Sequence, residues 1–95
     1  MIRSTLIKKL RELEDIAIPE GHRRTNKGAT TYFFSEGKRQ EIESFLSAEG
    51  LTDQGQLRFY VQETKLWKSE DNSRRVLLHA TNPNWVSVAV LVWPV

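Results

Sequence analysis

The sequence predicts an α+β domain in the order α-β-α-β-β-β, an antiparallel meander sheet packed against two helices. Apolar residues in the first half recur every three or four positions, the spacing of helix faces. From Leu57 onward the period changes to two, the spacing of strands. Asn82-Pro83-Asn84 separates the last two apolar runs as a tight turn, because proline presets the backbone and asparagine tolerates unusual dihedrals. Ninety-five residues suffice for one continuous core, so residues 1–95 are expected to form a single domain.

Leu6, Ile7, Leu10, Leu13 and Ile16 make the apolar stripe of a first helix, with Lys8, Lys9, Arg11, Glu12 and Glu14 between them. Ser4 is the expected N-cap, and Ile18-Pro19-Glu20-Gly21 the expected end, since Pro19 disfavours a helical residue before it. A loop to Ala29 follows. Thr30–Phe34 is β-branched and aromatic, hence a short strand. Ser35 caps a second helix carrying Ile42, Phe45 and Leu46, and Gly50 ends it in a left-handed cap that brings Leu51 onto Leu46. Leu57, Phe59 and Val61 alternate with Arg58, Tyr60 and Gln62. After the polar loop at 69–73, Val76, Leu78 and Ala80 alternate in the same way, so these two strands are expected to form a hairpin. Trp85–Trp93 is the last strand, closed by Pro94. A winged helix is the competing fold, but it needs three helices before its hairpin and the sequence offers two.

Lys and Arg number 14 against 12 acidic residues, for a formal charge of +2. Neither half is a basic tail, which weighs against a dedicated nucleic-acid binder, whose affinity comes mainly from neutralised phosphates. There is no cysteine, so disulfides, thiolate metal sites and a cysteine nucleophile are excluded. The N-terminal segment lacks an unbroken apolar core, and the apolar run at 86–95 is roughly half of a membrane span. A cytoplasmic protein without a membrane segment is expected.

Few constellations suggest chemistry. His22 and His79 are far apart and neither has a second ligand at a metal-binding interval, so neither metal nor cofactor is expected. Glu12 with Glu14, and Glu41 with Glu43, point in different directions on polar helix faces and read as solvated charges. His79 beside Ser87 on neighbouring strands is conceivable as a base and nucleophile, without an evident oxyanion hole. The chain is therefore read as non-catalytic.

Two surfaces remain. Gly21–Arg39 contains five cations and one acid. Arg23, Arg24, Lys27, Lys38 and Arg39 would contact phosphates, and Tyr32 would stack on a base, if this block bound a nucleic acid; a solvated loop is the plainer reading. The second surface follows from strand alternation. If Thr81 pairs with Trp85, then Val86, Val88, Val90 and Val92 share the core face with Val76, Leu78 and Ala80. The opposite face collects Leu77, His79, Trp85, Ser87, Ala89, Leu91 and Trp93, joined by Arg58 and Tyr60. That face is too apolar for water. Cover by the first helix is the default expectation, and the alternative is an exposed partner site in which Trp93, at the chain end, is more accessible than Trp85. The expected function is a small interaction protein, namely an adaptor, inhibitor or regulatory subunit. It binds a protein partner or a second copy through Arg58, Tyr60, His79, Trp85 and Trp93. A nucleic-acid-binding module is the alternative, and a metal-independent ribonuclease using arginines, His79 and Tyr60 a further one.

Overall fold

Two helices cover one face of a six-stranded antiparallel sheet in the computed structural model, which describes residues 2–26, 28–57, 63–82 and 84–94. Helix α1 spans Arg3–Leu13; the short strand β1 (Thr25–Asn26) and β2 (Ala29–Ser35) follow. A single 3-10 turn, Glu36–Lys38, runs into α2 (Arg39–Ala48). Strands β3 (Thr52–Gln56), β4 (Thr64–Lys68), β5 (Arg75–Asn82) and β6 (Trp85–Val92) complete the chain. Their order across the sheet is β1-β2-β6-β5-β4-β3, so β6, the last strand made, lies between β2 and β5.

Helix α1 buries Leu6, Leu10 and Leu13, the stripe read from the sequence. Its ends differ from expectation. Ile2, not Ser4, is the N-cap and offers no side-chain bond. The Arg3 N–H instead donates to the Pro94 carbonyl at 2.6 Å, tying the helix start to the chain's last strand. The helix stops at Leu13, short of Ile16, and Glu14 takes an extended backbone. Lys38 Nζ donates to the freed Leu13 carbonyl at 2.9 Å, a cation at a helix C-terminus, where the dipole favours it. Pro19 and Gly21 do form a turn, closed by His22 N–H to the Pro19 carbonyl at 3.0 Å with Gly21 at φ 83°, but that turn lies in the connection beyond the helix. Ser35 precedes the 3-10 turn rather than α2, and its hydroxyl donates to Asp15 Oδ2 at 2.5 Å instead of capping.

The end of α2 matches its expected form. Gly50 has φ 83°; its N–H donates to Ser47 at 3.0 Å and the Leu51 N–H to Leu46 at 3.1 Å. This pair of bonds is the Schellman pattern, which satisfies carbonyls the helix leaves open.

On the side away from β6, β5 pairs with Thr64–Lys68. Residues 58–62 lie outside the described part, and Leu57 lies past the end of β3. The loop between β4 and β5 sets this register. Ser69 N–H reaches the Arg74 carbonyl at 2.9 Å, and Asp71 Oδ1 accepts from the Ser69 hydroxyl, the Ser73 N–H and the Ser73 hydroxyl. These bonds hold the Asp71 carboxyl down at about 2, the Ser73 N–H foremost. A loop closed so tightly pairs its flanking residues, Lys68 with Arg75, whereas a strand ending at Val61 would leave a much longer loop to close.

The β5–β6 register agrees with the expected alternation where it matters most: Leu78 faces Val88 and His79 faces Ser87. Irregularities lie on either side of it, between His79 and Asn82 and between Arg75 and Val76. At the second, Val76 pairs with Val90 but Arg75 with Val92, so β6 carries one extra residue. This bulge shifts the alternation by one. Trp93 therefore joins the helix face, 4% exposed and packed in the core cluster, while Val92 is 37% exposed. The expected core position of Val92 and the expected accessibility of Trp93 are both reversed.

The core gathers Leu6, Leu10 and Leu13 of α1, Ile42 and Leu46 of α2, and Tyr32, Phe34, Trp67, Val76, Leu78, Val86, Val88 and Val90 of the sheet. Cover of the opposite face by the first helix is thus corrected, since α1 and α2 both pack on the valine face. Arg74 sits over the Trp93 ring at 5.3 Å and beside Glu49 at 3.7 Å, linking the end of α2 to the last strand.

Trp93→Ala is expected to destabilise the domain by about 3–5 kcal/mol, read as a lower urea midpoint with an unchanged slope; a variant as stable as wild type would remove Trp93 from the core. Gly50→Ala strains a left-handed position, costing about 1–2 kcal/mol, and puts a Cβ 3.3 Å from the Arg74 guanidinium. An unchanged melting temperature would contradict the cap.

Candidate functional site: the helix-free face around Trp85

With both helices on one side, the other side of the sheet holds Thr31, Phe33 and Ser35 of β2, facing Ala89, Ser87 and Trp85 of β6 in register. Leu77 and His79 of β5 and Thr64 and Leu66 of β4 extend the same face. Its centre is dry: Phe33 is 1%, Ser87 5%, Leu77 6% and Ala89 6% exposed. Trp85, His79, Leu66 and Leu91 are half-buried around it.

The connection from α1 to β1 builds one corner of this face. It leaves α1 on the helix side, passes around the outer edge of β2 and brings His22 against the far side. There the His22 ring lies edge-on to Phe33 (5.8 Å between centroids) and to Trp85 (5.2 Å), and Phe33 is edge-on to Trp85 at 5.7 Å. Three mutually edge-on rings fix the Trp85 indole while leaving part of it in solvent. Sequence reading placed Trp85 on this face and missed His22 and Phe33 as its supports. Phe33 was detectable, because alternation sets it opposite to Tyr32 and Phe34. His22 was not, since a loop residue has no period.

The same connection closes the edge of β2. Strand β1 pairs only with Ala29 and Thr30, which leaves the outward N–H groups of Thr31, Phe33 and Ser35. Each is bonded: Thr31 to the Arg24 carbonyl at 2.6 Å, Phe33 to Glu14 Oε2 at 2.9 Å, and Ser35 to Asp15 Oδ1 at 2.7 Å. Arg24 clamps Glu14 with both terminal nitrogens, at 2.6 and 3.0 Å, and also donates to the Thr31 carbonyl at 3.2 Å. The Ser35 hydroxyl, more than any other contact, lowers the Asp15 carboxyl below its ordinary 3.8. The contribution of that bond is present above 3.8 and fades as acid protonates the carboxylate.

These bonds account for most of the basic block. Arg24 is paired with Glu14, Lys38 caps α1, and Arg39 reaches Glu36, Glu43 and Glu63. Arg23 is exposed, and Lys27 lies outside the described residues. Tyr32 is 1% exposed in the core, with Arg24 over its ring at 5.0 Å, so it cannot stack on a base. The structure therefore does not bring the five described candidate nucleic-acid residues, Arg23, Arg24, Tyr32, Lys38 and Arg39, into one accessible surface.

Of the candidate partner residues, His79 and Trp85 share the helix-free face, Trp93 does not, and Arg58 and Tyr60 lie outside the described residues. His79 Nδ1 is 2.9 Å from Thr64 Oγ1, across the β4–β5 pair. Thr64 is fully buried and Ser87 5% exposed, so the hydroxyls beside His79 are withdrawn from any substrate in solution. Burial lowers the His79 pKa below its ordinary 6.5 and favours the neutral ring. Among the described residues, no group of three or more His, Asp or Glu side chains is placed to hold a metal ion, and no helix is long and apolar enough to cross a membrane. An open depression outside α2, lined by Gln40, Glu43, Ser44, Ser47 and Ala48, has Glu43 as its titratable group, already engaged by Arg39.

His79 sets a pH dependence whose sign is fixed. Below 6.5 the unfolded chain takes up a proton that the folded His79 resists, so stability falls as pH drops from neutrality through that value. Urea midpoints measured across this range should decline less steeply for His79→Asn than for wild type. Parallel declines would mean that His79 titrates normally.

Comparison of the chain with protein-family models, with curated proteins and with solved structures finds no match.

Proposed function

We propose that this chain is a small non-catalytic interaction protein that binds a protein partner through the helix-free face of its sheet, with Trp85 as the anchor. One observation carries the reading. Trp85 is partly exposed yet held edge-on by His22 and Phe33. A preformed aromatic loses little freedom on binding, which is why tryptophan dominates many interface energies.

The surroundings support an apolar contact with a polar margin. Leu66, Leu91 and the 37% exposed Val92 offer aliphatic surface, and His79 and His22 offer ring nitrogens. A partner suited to this face presents an aliphatic or aromatic ridge and few charges, and its binding depends weakly on salt. Of the cations of Gly21–Arg39, Arg24 and Arg39 are paired with the chain's own carboxylates and Lys38 with a backbone carbonyl, so a polyanion finds less free charge than the sequence suggests. An adaptor, an inhibitor and a regulatory subunit all use such a surface in the same physical way, by occupying a partner's.

For a protein retained by the immobilised chain from its native host, Trp85→Ala is expected to weaken binding about 30-fold, the size of a hot-spot loss of ~2 kcal/mol. Raising the salt should change the wild-type affinity little. A parallel melting curve checks that the variant is folded. Equal affinities of wild type and variant, or binding that collapses with salt and responds to nucleic acid, would overturn the proposal.

A further inference from the structure

The outer edge of β2 is closed by side chains, and what they close is a strand well suited to pairing. Ala29–Ser35 reads Ala-Thr-Thr-Tyr-Phe-Phe-Ser, with no charge and no proline. Edge strands normally carry such residues as protection against another chain, and an uncharged aromatic and β-branched heptad is the composition that pairs most readily. The opposite edge of the sheet is different. There β3 is polar and mostly exposed, carries Asp53, and is bent by an irregularity at Gly55, whose φ is 86°. One edge protects itself, whereas β2 depends on a strap.

We infer that the connection 14–24 is a removable guard, and that its release makes the β2 edge a docking strand for β2 of a second copy. Along the β2 edge the strap's bonds are polar, and His22 adds ring contacts to Phe33 and Trp85. Glu14 and Asp15 supply the acceptors for Phe33 and Ser35, and Arg24 supplies both the acceptor for Thr31 and the clamp on Glu14. Asp15 and its bonds to Ser35 are solvent-exposed, so water competes for them directly. Once the strap lifts, the N–H and carbonyl groups of Thr31, Phe33 and Ser35 point outward together.

A second copy is the occupant that fits this array. Antiparallel pairing about Phe33 sets Phe33 against itself and Thr31 against Ser35, so each outward donor meets an outward acceptor of the same set. That self-complementarity is what a two-fold interface requires. The two sheets then join edge to edge, and no charged side chain of β2 opposes another. The contact uses the edge and not the Trp85 surface, although the strap that must lift carries His22, whose ring rests against Phe33 and Trp85.

The test is Glu14→Ala combined with Asp15→Ala, studied by sedimentation and by amide hydrogen exchange. Wild type is expected to run as a single 11.0 kDa chain, with the Phe33 and Ser35 amides protected at every concentration. The double variant is expected to form a two-chain species over the micromolar range, with those two amides protected in the dimer and exposed on dilution. Adding Trp85→Ala should leave this dimer intact. A folded double variant that stays monomeric overturns the inference, and so does a dimer in which the Phe33 and Ser35 amides exchange freely, because the copies would then be joined by some other surface. Should the double variant not fold, Arg24→Gln gives the same reading. It keeps both carboxylates but removes the clamp on Glu14, and protection of Phe33 that does not rise with concentration overturns the inference.

Discussion

The carboxylates of Glu14 and Asp15, reaching the N–H groups of Phe33 and Ser35 at 2.9 and 2.7 Å, fix the path of the chain from its first helix to its sheet. An unpaired backbone donor at a partly dry sheet edge carries a desolvation cost, and a carboxylate meets it with a charge-assisted bond. Helix α1 must end where those carboxylates can arrive, so Glu14 leaves helical geometry at a point where apolar periodicity would carry the helix on. Lys38 then completes the arrangement by capping the Leu13 carbonyl. The start of the helix is held by the Pro94 carbonyl, so both ends of α1 are set by contacts distant in sequence.

The same path explains the two sides of the sheet. Since α1 is anchored beside β2 and α2 follows directly from the 3-10 turn after β2, both helices lie on the valine face. The strap then crosses to the other side and delivers His22 to Phe33 and Trp85. A residue in an irregular connection thereby becomes part of an aromatic cluster on a β-sheet. The tryptophans divide accordingly. Trp67 and Trp93 are buried with the helices, and Trp85 remains half-exposed. Trp67 Nε1 has no hydrogen-bond partner among the described residues, so hydrophobic contact, not polar satisfaction, accounts for its place there.

Charge is used inwardly in much of this molecule. Arg24 ties the two ends of the connection between α1 and β1 through Glu14, Arg39 joins α2 to the residue before β4 through Glu63, and both guanidinium groups are stabilised by those carboxylates. Their worth for stability is modest where solvent reaches them. The geometric role of Arg24 is larger, because its two bonds to Glu14 hold that carboxylate in one orientation. The count of cations in Gly21–Arg39 therefore overstates the charge offered to a partner.

The sequence by itself determined what depends on near neighbours. The α+β class, the stripe Leu6–Leu10–Leu13, the left-handed cap at Gly50, the strand around Tyr32 and the shared face of Val76, Leu78, Val86, Val88 and Val90 all follow from local periodicity or local dihedral preference. It also assigned Trp85 and His79 to the far side of the sheet. Only the tertiary structure decided the rest. A bulge of one residue moved Trp93 to the opposite face, and no propensity foretells where such an insertion falls. The end of α1, the hairpin partner Thr64–Lys68 and the burial of Tyr32 depend on which distant donor meets which acceptor. Hydrogen bonds between residues nearly twenty positions apart, such as Phe33 with Glu14, have no period to be read. They are chosen by the whole packed chain, because leaving a buried donor unpaired costs more than a local preference contributes.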